Sequence, residues 1–376
     1  MTRALSDAEL LDWLRLARTD GVGPVTFHRL IRTYGSASVA LNAAPDIAKR
    51  AGRATPMSVY AREDAEAELK ALRKREARLL PSCDPDFPKL LLQIEPVPPV
   101  IAVLGDLALF EKPPIAMVGS RNASAASLRI ARDLAGDLSA RGYLVVSGLA
   151  RGIDGAVHAA SLEGGTVAVL AGGLNHVYPP EHAELYAQIA ERGILVSENR
   201  LGANAIARDF PRRNRLISGL SLGVIVVEAA LQSGSLITAR TALEQNREVM
   251  AVPGSPLDPR SRGTNDLIKQ GAILVENADD IIRAINTPRL DHPLLGLARE
   301  TGGDWPDGAY EPAETGLLER LRELLSPMPT HLDELVRATG ASAAEISAAV
   351  LELELAGQAV SSPGGRVALA LDADRE

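Results

Sequence analysis

The spacing of apolar residues divides the chain into three regions. From residue 1 to about residue 77, apolar positions follow a helical period, as at Leu10, Leu11, Leu14 and Leu16. This pattern predicts an all-helical region. Within it, residues 21–36 place a Gly-Val-Gly-Pro turn between two apolar helical stretches. Such a turn is typical of a helix-hairpin-helix, although an ordinary helical hairpin gives the same pattern.

Between about residues 80 and 286, short runs rich in β-branched residues alternate with helical stretches such as 125–140 and 235–246. Strands are predicted at residues 115–119, 143–147, 166–170, 194–197, 223–228, 248–252 and 272–275. Runs such as GVIVVEAA are apolar without alternation, which indicates burial on both faces of a parallel sheet covered by helices. The region therefore predicts an α/β fold, a Rossmann-like, doubly wound and mostly parallel sheet.

Residues 287–315, rich in proline, glycine and mixed charges, are predicted to be a linker. The last region, 316–376, shows three amphipathic helices, one of them with Ser342 and Glu345 as a capping box, and a β-hairpin around Pro363. This order is typical of a winged helix. The predicted domains are thus a SAM/helix-hairpin-helix-like helical domain (1–77), the Rossmann-like domain (80–286) and the winged helix (316–376).

Charge argues against duplex DNA as the partner of this winged helix. From Gly316 onward, ten acidic residues stand against five arginines. Such a surface should repel phosphate, so a contact with protein is favoured.

The composition is that of an ordinary globular protein, with 46% hydrophobic and 23% charged residues among 376. No apolar run approaches the roughly 20 residues that span a bilayer, the start lacks a signal-peptide pattern, and the single cysteine, Cys83, cannot form an internal disulfide. These features predict a cytoplasmic protein without membrane insertion. The net charge of -8 counts against a nonspecific DNA coat but leaves room for a local basic groove.

Ligands of a parallel sheet bind beyond the carboxyl ends of the strands, so the residues after each strand carry the candidate chemistry. Gly119, Ser120 and Arg121 follow the first predicted strand. The glycine allows close backbone approach, the next helix is expected to offer unpaired N–H groups, and the arginine can bind phosphate bidentately. A tight turn with Arg121 in a structural salt bridge is the alternative.

The loop after the second strand, SGLARGIDG (147–155), repeats this logic with three glycines and Arg151. Asp154 is expected to orient Arg151 or Arg121, or to cap the helix, rather than to catalyse a reaction. His158 is expected to be a packing residue rather than a base.

Two later junctions have similar chemistry. Residues 198–215 contain five arginines against two acids, near a predicted helix start that would not attract cations by its dipole. A bound polyanion explains them, and a solvated basic turn is the alternative. After the fifth strand come Ser233, Gly234 and Ser235, with Thr238 one turn into the next helix, and VPGS follows the sixth strand. A mononucleotide needs one or two such junctions, whereas a long polyanion would use several.

Several other site classes lack their patterns. The first turn, GSRNAS, is not the G-x-G-x-x-G of dinucleotide sites, and no phosphate-binding P-loop is present. Residues 219–223 match G-x-S-x-G, but they end a predicted helix and begin a strand, whereas a nucleophile elbow needs strand, turn and then helix. The histidines and the cysteine show no metal spacing, and His176 and His182 are predicted to be surface residues. No cofactor and no metal are predicted.

Five segments, in this order, resemble the DprA/Smf family: VGSR (118–121), SGLARGID (147–154), FPRRNRLISGLS (210–221), SGSLITA (233–239) and VPGS (252–255). The resemblance implies single-stranded DNA binding, a homodimer formed through the Rossmann-like domain, and loading of the RecA recombinase during natural transformation, with no established catalytic step. It places Gly119, Ser120 and Arg121 in the phosphate pocket and makes Arg213 the basic residue of the RNR stretch. Some relatives have an aromatic residue where this chain has Leu216.

The resulting hypothesis is that Arg121, Arg151, Arg213 and nearby N–H groups hold successive phosphates of one DNA strand along the edge of the sheet. Aromatic residues make up only 3% of the chain, which favours contacts to the backbone over base stacking. The predicted phosphate contacts are Gly119, Ser120, Arg121, Ser147, Gly148, Arg151, Arg212, Arg213, Arg215, Ser233, Gly234, Ser235 and Thr238. The alternatives are a Rossmann-like nucleotide hydrolase or phosphoribohydrolase, and a scaffold that binds only proteins.

Overall fold

A computed structural model of the chain describes residues 3–53, 55–286, 313, 315–362 and 364–370. The chain divides into two compact units. The first contains residues 68–94 and 100–289, and the second contains residues 3–67, 95–99 and 290–376. Most of the predicted linker, residues 287–312, and Pro363 of the predicted hairpin lie outside the described residues. The three-domain division stays a prediction.

In the described part of the first unit, nine strands form one sheet in the order β1-β2-β6-β5-β4-β3-β7-β8-β9. The strands are β1 (Arg78–Pro81), β2 (Val100–Gly105), β3 (Pro114–Val118), β4 (Leu144–Ser147), β5 (Thr166–Val169), β6 (Ile194–Ser197), β7 (Gly223–Val226), β8 (Glu248–Ala251) and β9 (Ile273–Leu274). Pairing from β6 to β9 across the sheet is parallel, while β1 and β2 add an antiparallel edge. The predicted α/β, mostly parallel sheet is confirmed, and β1 and β2 are additional strands.

Helices cover this sheet, as its buried central strands β3 to β7 require. They are α5 (Ala125–Ala140), α6 (Ile153–Ser161), α7 (Ala183–Arg192), α8 (Asp209–Gly219), α9 (Gly234–Glu244), α10 (Arg262–Lys269) and α11 (Ala278–Asn286). Apolar side chains of β3, β4 and α5 meet in one core, for example Met117, Val145 and Leu134. Helix α8 ends at Gly219 before β7 begins, so the G-x-S-x-G letters do not form a nucleophile elbow.

The strand order creates a crevice at the carboxyl end of β3. From β3 the chain winds in one direction through β4, β5 and β6, and it then returns to place β7 on the other side of β3. The loops after β3 and β7 therefore diverge at this point. In doubly wound sheets such a switch point is the usual ligand site.

The second unit contains helices at both ends of the chain. They are α1 (Asp7–Arg18), α2 (Pro24–Tyr34), α3 (Ala37–Arg50), α12 (Thr315–Leu324), α13 (Leu332–Thr339) and α14 (Ala343–Leu355), and α4 (Arg62–Arg73) begins in this unit. A small sheet, ordered β10-β12-β11, is formed by β10 (Thr330–His331), β11 (Ala359–Ser362) and β12 (Arg366–Leu369). Ser342 and Glu345 form the predicted capping box of α14, and the winged-helix prediction is confirmed.

Helix α14 occupies the position that enters a DNA groove in many winged helices, yet here its C-terminal half is buried. It contains no lysine or arginine and packs against α2 and α3. Glu354, 5% exposed, accepts hydrogen bonds from Thr26 Oγ1 and Arg29 Nη1, both at 3.2 Å. The C-terminal half of this helix thus packs within its own unit, and the preference of the winged helix for protein over duplex DNA stays a prediction.

Candidate nucleic-acid interface

An open pocket of about 570 Å³ lies at the switch point of the sheet. Its walls come from the loop after β3, the loop after β7, the start of α9 and the first turns of α8. Eight of the predicted contact residues line it: Gly119, Ser120, Arg121, Arg213, Ser233, Gly234, Ser235 and Thr238. The fold therefore brings together segments that are more than a hundred residues apart in sequence.

The loop after β3 is fixed by its neighbours on both sides. The Ser120 amide donates to the carbonyl of Glu228 at 2.8 Å, and the Ser120 carbonyl accepts from the Ile153 amide at 3.2 Å. A Cβ at Gly119 would lie 2.5 Å from Ile153 Cγ1, so only glycine allows this close approach. The loop is consequently held in place before any ligand binds.

Glu228, at the end of β7, changes the expected role of the α5 N-terminus. Its carboxylate, 1% exposed, accepts from the Ser124 amide at 3.2 Å and from Ser127 Oγ at 2.8 Å. Ser124 Oγ in turn accepts from the Ser127 amide. The expectation that this helix start offers unpaired N–H groups to phosphate is therefore wrong at these two amides, because the chain's own carboxylate and hydroxyl already satisfy them.

Arg121 is the exposed cation of the pocket. Its guanidinium carbon lies 5.0 Å from the centroid of the Phe210 ring, a cation–π distance. Among the described residues, no carboxylate forms an ion pair with Arg121, so the alternative of a structural salt bridge is not what the structure shows. Its planar donors remain available to an anion in the pocket.

Arg213 lies in the floor of the same pocket and is only 6% exposed. Its Nη1 donates to the carbonyls of Gly148 and Val169, and it packs so closely on Gly148 that no larger residue fits there. Burial lowers the pKa of Arg213 to about 10, so it stays a cation at neutral pH. It contributes positive charge from below while its donors hold the loop after β4.

Two buried groups support the loop after β4. The Asp154 carboxylate accepts from the amides of Gly148 at 3.1 Å and Ala150 at 3.3 Å; burial raises its pKa, and the charge of Arg213 acts in the opposite direction. His158 Nε2 accepts from the Leu149 amide at 3.3 Å, and burial lowers the pKa of this histidine to about 3. Asp154 thus holds the loop backbone, rather than orienting Arg151 or Arg121 or capping α6 as expected. His158 is fully buried, as expected for a packing residue.

The remaining predicted contacts lie outside the pocket lining. The Ser147 hydroxyl is fully buried and donates to the Met117 carbonyl at 2.7 Å, so it joins two strands. Arg151 forms an exposed ion pair with Glu181, and Arg215 pairs with Glu198 at 2.6 Å. Gly148 lines a narrow cleft next to the pocket, and Arg212 is exposed on α8. Their predicted contact with phosphate stays a prediction.

Small hydroxyl residues form the opposite wall. Ser233 caps α9 by accepting from the Ser235 amide, and the two hydroxyls lie 2.7 Å apart. Thr238 follows one turn later and is almost fully buried. These hydroxyls add hydrogen-bonding groups to the pocket without adding charge.

The chain matches the family model described as DNA recombination-mediator protein A over residues 78–286. The DprA-like N-terminal HHH domain matches residues 7–71 and the DprA winged helix domain matches residues 306–365. The chain belongs to the DprA/Smf family. It is 41% identical to protein Smf of Escherichia coli over 317 residues, which is 82% of each chain, and 43% identical to DNA processing protein DprA of Bacillus subtilis over 220 residues, 58% of this chain and 74% of that one.

Solved structures of DprA proteins agree with this assignment. DprA of Streptococcus pneumoniae superposes with a TM-score of 0.62 at 32% identity, covering 75% of this chain and 98% of that one. DNA processing protein A of Helicobacter pylori, whose structure addresses its single-stranded DNA binding mode, superposes with a TM-score of 0.52 at 28% identity. That match covers 55% of this chain and 94% of the H. pylori chain.

Sequence reasoning missed an aromatic cluster in this DprA/Smf chain. His176 and Tyr178 follow β5, whereas Phe210 follows β6, yet the three rings lie together. His176 and His182 are half-buried rather than surface residues, because they pack in the loop after β5, where His182 Nδ1 lies 3.0 Å from the Leu149 carbonyl. The cluster forms because β5 and β6 are neighbours in the sheet, so the loops that follow them meet. The spacing of residues along the sequence does not indicate this.

Other ligand classes find little support in the described ranges. No group of three or more histidine, cysteine or acidic side chains is arranged to hold a metal ion there. None of the helices in these ranges has the length and apolar character that a bilayer crossing requires. Asp258, the acid beside VPGS, caps a short turn and pairs with Arg260 at 2.8 Å.

Proposed function

We propose that this chain binds single-stranded DNA along the carboxyl edge of its nine-stranded sheet, with a phosphate of the strand in the switch-point pocket. The observation that carries the proposal is the unpaired, exposed Arg121 at the mouth of a concave pocket whose floor contains the buried cation Arg213. The H. pylori relative, which is described as binding single-stranded DNA, supports the same ligand for this chain.

The shape of the pocket favours a single strand over a duplex. The backbone of a single strand can bend to place one phosphate in a recess, whereas a stiff duplex presents its phosphates on a convex surface. Helix α14 has three glutamates and no lysine or arginine, so its charge also disfavours contact with a duplex groove.

We further propose that the chain binds DNA without catalysing a reaction on it. The acids and the base nearest the pocket are already engaged in holding loops: Asp154 and His158 support the loop after β4, and Glu228 holds the start of α5. A general acid or base must reach a substrate proton, and these groups face the protein backbone instead.

We also propose that the chain forms a homodimer and delivers DNA to a recombinase. Strand β9 is the last in the sheet order, and its Ile273 and Leu274 are 37% and 44% exposed, which supports a homodimer formed through the Rossmann-like unit. Membership in the DprA/Smf family supports delivery of the strand to RecA during natural transformation, and it supports a cytoplasmic location.

A titration of labelled oligothymidine and of a duplex of equal length tests the proposal. Fluorescence anisotropy is expected to show tighter binding of the single strand. Its affinity should fall between about 50 and 200 mM salt, and the decrease should be larger the more phosphates the protein neutralises. Equal affinity for both DNA forms, or affinity independent of salt, would contradict the proposal. Release of free base or phosphate from added nucleotides would favour the hydrolase alternative.

A further inference from the structure

Phe210 separates two depressions on the carboxyl edge of the sheet. On one side lies the pocket with Arg121, and on the other lies the narrow cleft lined by Gly172, His176 and Tyr178. Arg213 lines both. A polymer that enters the pocket therefore meets the cleft as its next neighbour.

The cleft presents an aromatic ring to solvent. Tyr178 is 47% exposed, while its ring is held from two directions: the Phe210 ring packs edge-on at 5.6 Å, and the His176 ring lies parallel at 6.4 Å between centroids. The ring therefore has an exposed surface that a ligand can contact. Because its neighbours already fix the ring, binding would not cost the entropy of ordering this side chain.

Positive charge borders this aromatic surface. The guanidinium carbons of Arg121 and Arg213 lie 5.0 and 6.0 Å from the Phe210 centroid. Proteins that bind single strands combine cationic sites for phosphates with aromatic rings on which bases stack. Here the two kinds of site share Phe210 as a common wall.

Resting on the proposed function, we propose that Tyr178, held by His176 and Phe210, is the stacking platform for a nucleobase next to the phosphate in the pocket. Leu216, where some relatives have an aromatic residue, is only 1% exposed and cannot serve this purpose. In this chain the proposed stacking residue is therefore in the loop after β5 and not in α8. The proposal adds base stacking to the backbone contacts that the low aromatic content led us to expect as the main binding mode.

Two probes of equal length test the platform: oligothymidine, and an oligonucleotide of abasic sites that keeps the phosphates but lacks the bases. Tyr178→Ala is expected to weaken oligothymidine binding about tenfold, since loss of one stacked base has effects of this order. Its affinity for the abasic probe should stay within twofold of the unaltered protein. Tyr178→Phe should bind both probes normally, because the ring is retained.

Two further variants make the test specific. Tyr143→Ala, at the amino end of β4, removes a tyrosine from the opposite edge and should leave both affinities unchanged. Tyr178→Trp should show fluorescence quenching on addition of oligothymidine and none with the abasic probe. An equal loss on both probes for Tyr178→Ala, or no loss on either, would overturn the platform while leaving DNA binding itself intact. Failure of the unaltered protein to bind either probe would instead overturn the proposed function.

Discussion

Replacing Arg121 with alanine is expected to lower the affinity for oligothymidine by roughly ten- to a hundredfold. The guanidinium is exposed, lies over Phe210 and has no carboxylate partner among the described residues, so its donors are free for a phosphate. A hydrogen bond to a charged group contributes about 1.5–3 kcal/mol, which corresponds to this loss in affinity. Anisotropy titrations at low salt measure this loss. When they are repeated at several salt concentrations, the slope of log affinity against log salt concentration should become shallower by about 1, the value for one lost phosphate contact.

Two further variants separate this contact from a change in net charge. Arg121→Lys keeps the charge but loses the planar, two-pronged geometry, so it should bind with intermediate affinity. Arg192→Ala removes an exposed arginine just before β6, at the amino edge of the sheet, and should bind normally. Unchanged affinity in Arg121→Ala, or an equal loss in Arg192→Ala, would remove Arg121 from the binding site.

Replacing Arg213 with methionine is expected to cost about 3 kcal/mol of unfolding free energy. The substitution removes the buried cation whose charge acts on the nearby buried carboxyl group of Asp154, and changes to buried charges have effects of this size. It also deprives the carbonyls of Gly148 and Val169 of their donor. Urea unfolding followed by circular dichroism measures the loss as a lower midpoint.

A second substitution tests this explanation. In the double variant Arg213→Met with Asp154→Asn, the buried negative charge is gone, so the loss should be smaller than in Arg213→Met alone. A midpoint for Arg213→Met equal to that of the unaltered protein would show that the buried arginine is not needed to hold the loop. An additive loss in the double variant would show that Asp154 and Arg213 do not interact.

Much of the fold could be predicted because its signals are local. Runs of β-branched residues predicted the parallel strands to within about two residues, and the predicted helix 125–140 coincides with α5. The capping box of Ser342 and Glu345 depends on residues three positions apart, so it too was visible in sequence. Strands β1 and β2 were not predicted. Strand β1 is a four-residue edge strand, RLLP, that contains a proline, so its pattern is weak. Strand β2, VIAVLG, has the same apolar pattern as the predicted strands, and the sequence analysis missed it.

The candidate site was harder to predict, because its details depend on partners far away in sequence. Glu228 holds the Ser124 amide, 104 positions earlier in the chain, and nothing near Ser124 indicates that its N–H group is already used. The run of arginines in α8 looks uniform, but adjacent helical positions face different directions, so Arg212 is exposed while Arg213 is buried. The Tyr178–Phe210 pair likewise depends on the strand order, which spacing alone does not determine.

Hydrogen–deuterium exchange of the full chain, with and without oligothymidine, tests most directly whether the DNA lies across the carboxyl ends of the β-strands. We expect slower exchange on DNA binding in the segments that form the pocket and the cleft, residues 119–122, 172–178, 210–214 and 230–238. Residues 141–143 and 192–193, which precede β4 and β6 at the amino edge, should be unchanged. Protection confined to the amino edge or to the winged helix, with none around Arg121, would contradict the account.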